Sequence, residues 1–268
     1  MRGLSVVDEA FIDGWVQRLR REVPDAVAIF VGGSYLRGEA GPFSDVDFDV
    51  VVGDGPREGW PAWFDTSGDV LVRVSTWIRD ADAWFAARDE PQEWAYGLPS
   101  ADPERLCWVA DEVWRQRLEA APARFPPGEP EIDHFVGEVG KIGNAWYAGD
   151  ELMLRLAGQD LARSVASLLL PLNPMAPVSS RGAALRTVLG YPVAPAGYRE
   201  DMLACMGLRG PATAADVHAA ACRLAAGVLD LLEQHQQRYA EVLPADATDA
   251  LRDGTMRRYL EQAIAGPA

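Results

Sequence analysis

Three aspartates at alternate positions, Asp45, Asp47 and Asp49, are interleaved with Val46, Phe48 and Val50. Side chains alternate across a strand, so a strand over 46–52 buries the apolar set and places all three acids on its other face. Three carboxylates on one strand face are costly unless something positive neutralises them. Hard divalent cations with oxygen ligands do that, and Mg²⁺ takes one or two carboxylates together with substrate phosphates. An apolar run over 26–31 comes first and reads as a short buried strand. It stops at Gly32-Gly33-Ser34, where a backbone without Cβ can approach a ligand closely. The stretch 35–40 is long enough for about one helical turn before Gly41-Pro42 breaks it. Free N–H groups at a helix start suit a phosphate. One short segment therefore offers a phosphate cradle and a metal pair. A hairpin with an acidic, solvated edge accounts for Gly-Gly-Ser alone, and poorly for the whole constellation.

Composition narrows the classes. A chain of 268 residues with 49% hydrophobic content can bury one large or two small cores. No apolar run approaches the ~20 residues of a membrane span, and the N-terminus lacks a signal-peptide pattern. Cys107, Cys205 and Cys222 lie far apart, with neither disulfide nor zinc spacing, so a cytoplasmic location is expected. The net charge is −15 with no basic run. Such a chain repels a phosphate backbone, which disfavours nucleic acid as a partner, and attracts a cationic small molecule. Of 25 basic residues only Lys141 is lysine.

Periodicity orders the rest. A helix is expected over 7–23, capped by Asp8, with Phe11, Trp15, Val16, Leu19 and Val23 on one face and Arg18, Arg20 and Arg21 solvated. Gly53-Asp54-Gly55-Pro56 closes the second strand in a turn. A short helix or ordered loop over 60–64, a third strand over 69–78 and a helix over 80–88 follow. An aromatic loop spans 91–103, then a strand 106–110 and a helix from 113 to 120. Pro122, Pro126, Pro127 and Pro130 mark a linker. Five helices are expected beyond it, over 132–148, 151–170, 180–189, 214–239 and 257–264, enough for a bundle.

The segment Val31 to Val50 resembles the signature of the polymerase-β-like nucleotidyltransferase superfamily: Gly33-Ser34, a turn and short helix, then Ser44-Asp45-Val46-Asp47 on a strand. Arg37-Gly38 also agrees. The segment is similar to that of the antibiotic nucleotidyltransferases that modify aminoglycosides or lincosamides. The resemblance implies an α+β protein: an N-terminal nucleotidyltransferase α/β domain with a mixed sheet (1–125), then a C-terminal all-helical substrate-binding domain (131–268), with the active site in the cleft between. It implies transfer of a nucleoside monophosphate from a nucleoside triphosphate to a hydroxyl, with release of pyrophosphate. Asp45 and Asp47 would hold Mg²⁺ as metal ligands and catalytic residues. Gly33, Ser34, Arg37 and Ser44 would bind the nucleotide.

Relatives often carry a third carboxylate on the third strand, and Arg73 stands at the expected place. Asp69 on a shifted strand, Asp49, or an acid from the second domain could substitute. In kanamycin-modifying members the second domain lends a glutamate as general base and a nearby lysine to the triphosphate. Glu138 and Lys141, three apart on one helix, are similar in kind. Without the resemblance they would read as an exposed intrahelical ion pair of about 0.3 kcal/mol. Trp146-Tyr147-Ala148-Gly149-Asp150-Glu151, between two helices, combines rings and acids that suit an amino sugar, or else caps a helix through Asp150. Two other classes stay open: a non-catalytic nucleotide-binding regulator, which Arg73 favours, and a toxin–antitoxin nucleotidyltransferase acting on protein or tRNA, against which the long helical domain argues.

Overall fold

The computed structural model describes residues 7–41, 43–53, 55, 57–101, 104–210 and 212–265. Pro42, Asp54 and Pro56, on which the break after residue 41 and the turn after the second strand were expected, lie outside them. Helix α1 (Glu9–Glu22) starts where Asp8 accepts a hydrogen bond from the Phe11 amide at 2.8 Å, and it buries Ile12, Trp15, Val16 and Leu19. Strand β1 (Ala26–Gly32) leads into the single helical turn α2 (Gly33–Leu36), and β2 (Val46–Val52) follows. The turn begins two residues earlier than the apolar pattern implied, because Gly33 itself enters it at φ +75°.

Residues 60–64 form no helix: 60 and 61 connect two short strands, and 62–64 open the second of them. Strands β3 (Glu58–Gly59) and β4 (Ala62–Ser67) both pair antiparallel with β5 (Val70–Asp80), with Gly68 at φ +60° turning the β4–β5 hairpin. Along β4, Ala62, Phe64 and Thr66 are exposed while Trp63, Asp65 and Ser67 are half-buried. That two-residue period is masked in the sequence by the aromatic cluster Trp60, Trp63 and Phe64. Helix α3 (Ala81–Ala86), strand β6 (Arg105–Val109) and helix α4 (Glu112–Glu119) complete this part. The sheet is mixed. Its order is β3-β5-β2-β1-β6, β2 and β5 are parallel, and the other pairs are antiparallel. One face, through Val46, Phe48, Val50, Val72 and Val74, packs in one core with Ile12, Trp15 and Leu19 of α1. The other face is apolar at Val27, Phe30 and Val51, which cluster with Trp84 and Leu118. Toward Asp47 and Asp45 it is polar.

The helices beyond are α5 (Ile132–Ala148), α6 (Glu151–Leu168), α7 (Arg181–Val188), α8 (Tyr198–Cys205), α9 (Ala214–Gln234), α10 (Gln236–Tyr239), α11 (Ala245–Arg252) and α12 (Thr255–Ala265). The fold is therefore α+β, a mixed sheet with helices followed by a helical region. Two short helices, α8 and α11, go beyond the five expected. The long helix expected over 214–239 breaks at His235, between α9 and α10. Beyond that break Tyr239 is fully buried, and its hydroxyl donates to the Leu168 carbonyl at 2.6 Å.

The fold divides into two compact units, residues 1–90 with 100–126, and 91–99 with 127–268. The second unit thus includes the 91–99 segment, whose Ala95 and Leu98 are fully buried in the helical core with Phe135, Leu161, Val165 and Leu224. Among the described residues no helix is long and apolar enough to cross a membrane.

Helices α5 and α12 meet backbone to backbone at Gly143. A Cβ on Gly143 would overlap the Ala263 backbone carbonyl, whereas Gly137, on the same helix, has open space around it. Gly143→Ala should therefore destabilise the protein by about 1–3 kcal/mol, the usual cost of overpacking. Gly137→Ala should stabilise it by about 0.5–1 kcal/mol, since alanine is the better helix former. Urea unfolding of the two variants checks the opposite signs.

Candidate active site

The first unit holds the acidic strand. Gly32 at the end of β1 pairs with Asp47 on β2. The next residue, Gly33, stands so close that a Cβ would overlap Asp47 Oδ2. With a positive φ and no room for a side chain, glycine is required twice over here. Ser34 lies in the one-turn helix, its carbonyl accepting from the Glu39 amide at 3.0 Å. Arg37 is largely buried and its Nε donates to Glu39 at 3.0 Å. The Ser44 hydroxyl oxygen accepts from the Gly41 amide at 2.9 Å, and the Ser44 amide donates to the Gly41 carbonyl at 3.1 Å. Ser44 thus closes the loop that delivers Asp45.

The three acids have different surroundings. Asp49 is 13% exposed and fully engaged. Arg79 grips it through Nε at 3.2 Å and Nη2 at 2.5 Å, and Trp84 Nε1 donates at 3.2 Å. A carboxylate with that many donors is a structural counter-ion, and it is a poor substitute for a missing metal ligand or base. Asp45 is more open. Its Oδ2 accepts from Arg73 Nη1 at 3.1 Å and from the Ser75 hydroxyl at 2.9 Å. The parallel register that pairs Val46 with Val74 brings Arg73 beside Asp45. Asp69 is exposed in the β4–β5 turn, beyond the end of β5 and about 13 Å along the strand from Arg73. It does not stand at the third-carboxylate position. Asp111, just after β6, caps α4 through the Trp114 amide at 2.9 Å.

Among the described residues no group of three or more His, Cys, Asp or Glu side chains could hold a metal ion. The donor set of Asp45 and Asp47 is nevertheless suited to a hard cation. Both donors are carboxylate oxygens from residues two apart in the chain, with the Gly33 backbone close against Asp47 Oδ2. Such a set fits a magnesium ion that completes its shell with water and phosphate oxygens.

The second unit has its own site. Glu138 is not the exposed member of a surface pair: its side chain is 3% exposed, while Lys141 is 57% exposed. Lys141 Nζ donates to Glu138 Oε1 at 2.6 Å, and Glu138 Oε2 is buried with no hydrogen-bond partner. The hydrogen bond and the carboxylate charge hold the Lys141 ammonium above its ordinary pKa. Glu138 lines a pocket of about 670 Å³ together with Glu131, His134, Lys141, Asp160 and Arg163, within the size range of small-molecule sites. Pro91, Tyr96 and Gly97 line another side of it.

Sequence reasoning missed those three, because a proline-flanked stretch reads as a loop of either domain. It also missed Asp160, Arg163, Ser164 and Ser167, although their spacing of three, four and seven marks a polar stripe along α6. Between α5 and α6, Asp150 caps α6 through the Met153 amide at 3.0 Å, and Trp146 stacks on His218 with centroids 4.3 Å apart. The helix-cap reading of that stretch therefore holds for Asp150.

Comparison with known families agrees with this architecture. A nucleotidyltransferase domain model matches residues 12–94, and a nucleotidyltransferase substrate-binding domain model matches residues 131–234. No curated protein matches the chain. The chain belongs to the polymerase-β-like nucleotidyltransferases. Within them it is related to the antibiotic nucleotidyltransferases, whose substrate-binding domain its helical region matches.

The two ion pairs on the acidic face differ in energetic weight. Removing one partner of a buried pair strands the other charge, at about 3–5 kcal/mol, whereas a half-exposed pair contributes about 1 kcal/mol or less. Asp49→Ala should therefore lower the urea midpoint sharply and Asp45→Ala should barely move it. Equal shifts in the two variants would contradict this assignment.

Proposed function

We propose that the chain transfers a nucleoside monophosphate from a nucleoside triphosphate to a hydroxyl of a small-molecule acceptor, releasing pyrophosphate. The observation that carries this reading is the buried Glu138, one oxygen unpartnered, lining a pocket in the part of the chain that matches a substrate-binding domain. Asp45 and Asp47 are the metal ligands in this reading. A bound Mg²⁺ would neutralise charge developing on the triphosphate. Gly33 and Ser34 take the phosphates at the end of β1, with Arg37 and Ser44 shaping the loop around them. Glu138 Oε2 accepts the acceptor hydroxyl's proton as its oxygen attacks the α-phosphorus. The bond from that phosphorus to the bridging oxygen breaks, and pyrophosphate leaves. Lys141 occupies Oε1, which leaves Oε2 for the proton, and its exposed ammonium is available to phosphate.

The acceptor is proposed to be cationic. The chain's net charge is −15, and Glu93, Glu129, Glu131 and Asp160 line the same pocket. An aminoglycoside-like antibiotic is the acceptor the family suggests, an inference from analogy. A cytoplasmic protein is consistent with the free thiols of Cys107, Cys205 and Cys222. One observation favours a second reading. The Arg73 guanidinium on Asp45 would suit a nucleotide-binding regulator without turnover.

Pyrophosphate release from each nucleoside triphosphate, across aminoglycosides, lincosamides and small metabolites, tests the proposal. Turnover is expected with a cationic hydroxylated acceptor. Asp45→Asn and Asp47→Asn should each abolish it, and Glu138→Gln should lower it ~10²–10⁴-fold with triphosphate affinity near normal. Full activity in Glu138→Gln would refute the base. Tight triphosphate binding without turnover on any acceptor would select the regulator.

A further inference from the structure

We propose that Arg73 is a triphosphate ligand that also serves as the resident counter-charge of the metal pair, held on Asp45 while the nucleotide is absent and transferred to phosphate oxygens when it binds. The inference rests on the reading of Asp45 and Asp47 as metal ligands. It assigns a role to a cation standing where relatives tend to carry an acid.

The two arginines of β5 show why Arg73 can move. Arg79 is 11% exposed, makes two bonds to Asp49 and lies over the Trp77 ring at 3.7 Å. Removing it from Asp49 would strand a largely buried charge. Arg73 is 54% exposed and makes one bond of 3.1 Å. An ion pair that open shifts an equilibrium by about fivefold at most. The next charge on the same sheet face is Asp47, which pairs with Ser75 from β2. Leu71 and Ser75 flank it along β5, and Phe64, two-thirds exposed, pairs with it from β4. When Arg73 leaves, Asp45 keeps the Ser75 hydroxyl at 2.9 Å, which holds the carboxylate in place.

The direction of exchange follows from charge. A divalent cation at Asp45 repels the guanidinium, and a triphosphate brought with that cation offers it several anionic oxygens in place of one. Hydrogen bonds from arginine to phosphate are charge-assisted and commonly two-pronged, stronger than the single bond given up. Arg73 therefore opposes the bare cation and favours the cation with its phosphates. The site then discriminates in favour of the complete metal–triphosphate complex.

Two probes that contain no nucleobase test this directly: Mn²⁺, followed by the loss of its free paramagnetic signal, and magnesium tripolyphosphate, followed by calorimetry. In Arg73→Ala, Mn²⁺ alone should bind severalfold more tightly and magnesium tripolyphosphate about tenfold more weakly. Arg73→Lys should recover most of the tripolyphosphate affinity, which a purely structural role would not require. Arg73→Gln, which keeps the stem and a neutral amide, should behave as Arg73→Ala. Unchanged tripolyphosphate affinity in Arg73→Ala, or Mn²⁺ bound no more tightly, would overturn the proposal. Wild-type protein that binds neither probe would overturn the metal–nucleotide reading as well. Wild-type binding of both, indifferent to residue 73, would overturn this inference alone.

Discussion

Like-charge repulsion on one strand face is the constraint on which the first unit turns. Val46, Phe48 and Val50 must face the core under α1, and the two-residue period then forces Asp45, Asp47 and Asp49 together on the other side. The sheet answers each charge differently. Asp49 is locked by Arg79 and Trp84, a largely buried arrangement that anchors α3 to the sheet through Trp84. Asp47 lies against Gly33, where any side chain would displace it. Asp45 has only a half-exposed arginine and a serine. The charge compensation thus weakens from the covered end of β2 to the open end, where phosphate and metal chemistry is proposed.

The helical unit poses the converse problem. Glu138 is buried, and its partner Lys141 satisfies one oxygen only. A buried unsatisfied carboxylate oxygen costs stability unless a ligand or water supplies a donor. An acceptor hydroxyl entering the pocket would supply one, and in this account the group that relieves the oxygen is also the group that loses its proton. Lys141, the chain's one lysine, is held charged by the glutamate.

Strong periodicity made much of this legible in the sequence. The alternation at 45–50 located β2 and the acidic face, and the 3.6-residue spacing located α1, α5 and α6. Legibility failed where tertiary partners decide. Trp60, Trp63 and Phe64 sit at helical spacing, yet the edge of β5 recruits β3 and β4. Pro91 to Pro99 looks like a loop, yet Ala95 and Leu98 enter the helical core. Glu138 and Lys141 at i and i+3 look like a surface pair. Only the packing of the 91–99 segment and α6 around the same pocket shows that the glutamate is buried. Arg73 bonds Asp45 only through the parallel β2–β5 register, which no local pattern encodes.

The central claim is that a nucleoside monophosphate ends on an acceptor. Mass spectrometry of a mixture of cationic hydroxylated compounds, incubated with the protein, Mg²⁺ and each nucleoside triphosphate in turn, tests it most directly. The account predicts that one compound gains the mass of a nucleoside monophosphate, with one pyrophosphate formed per transfer. Triphosphate consumed to free nucleotide and phosphate, with every compound unchanged in mass, would contradict it.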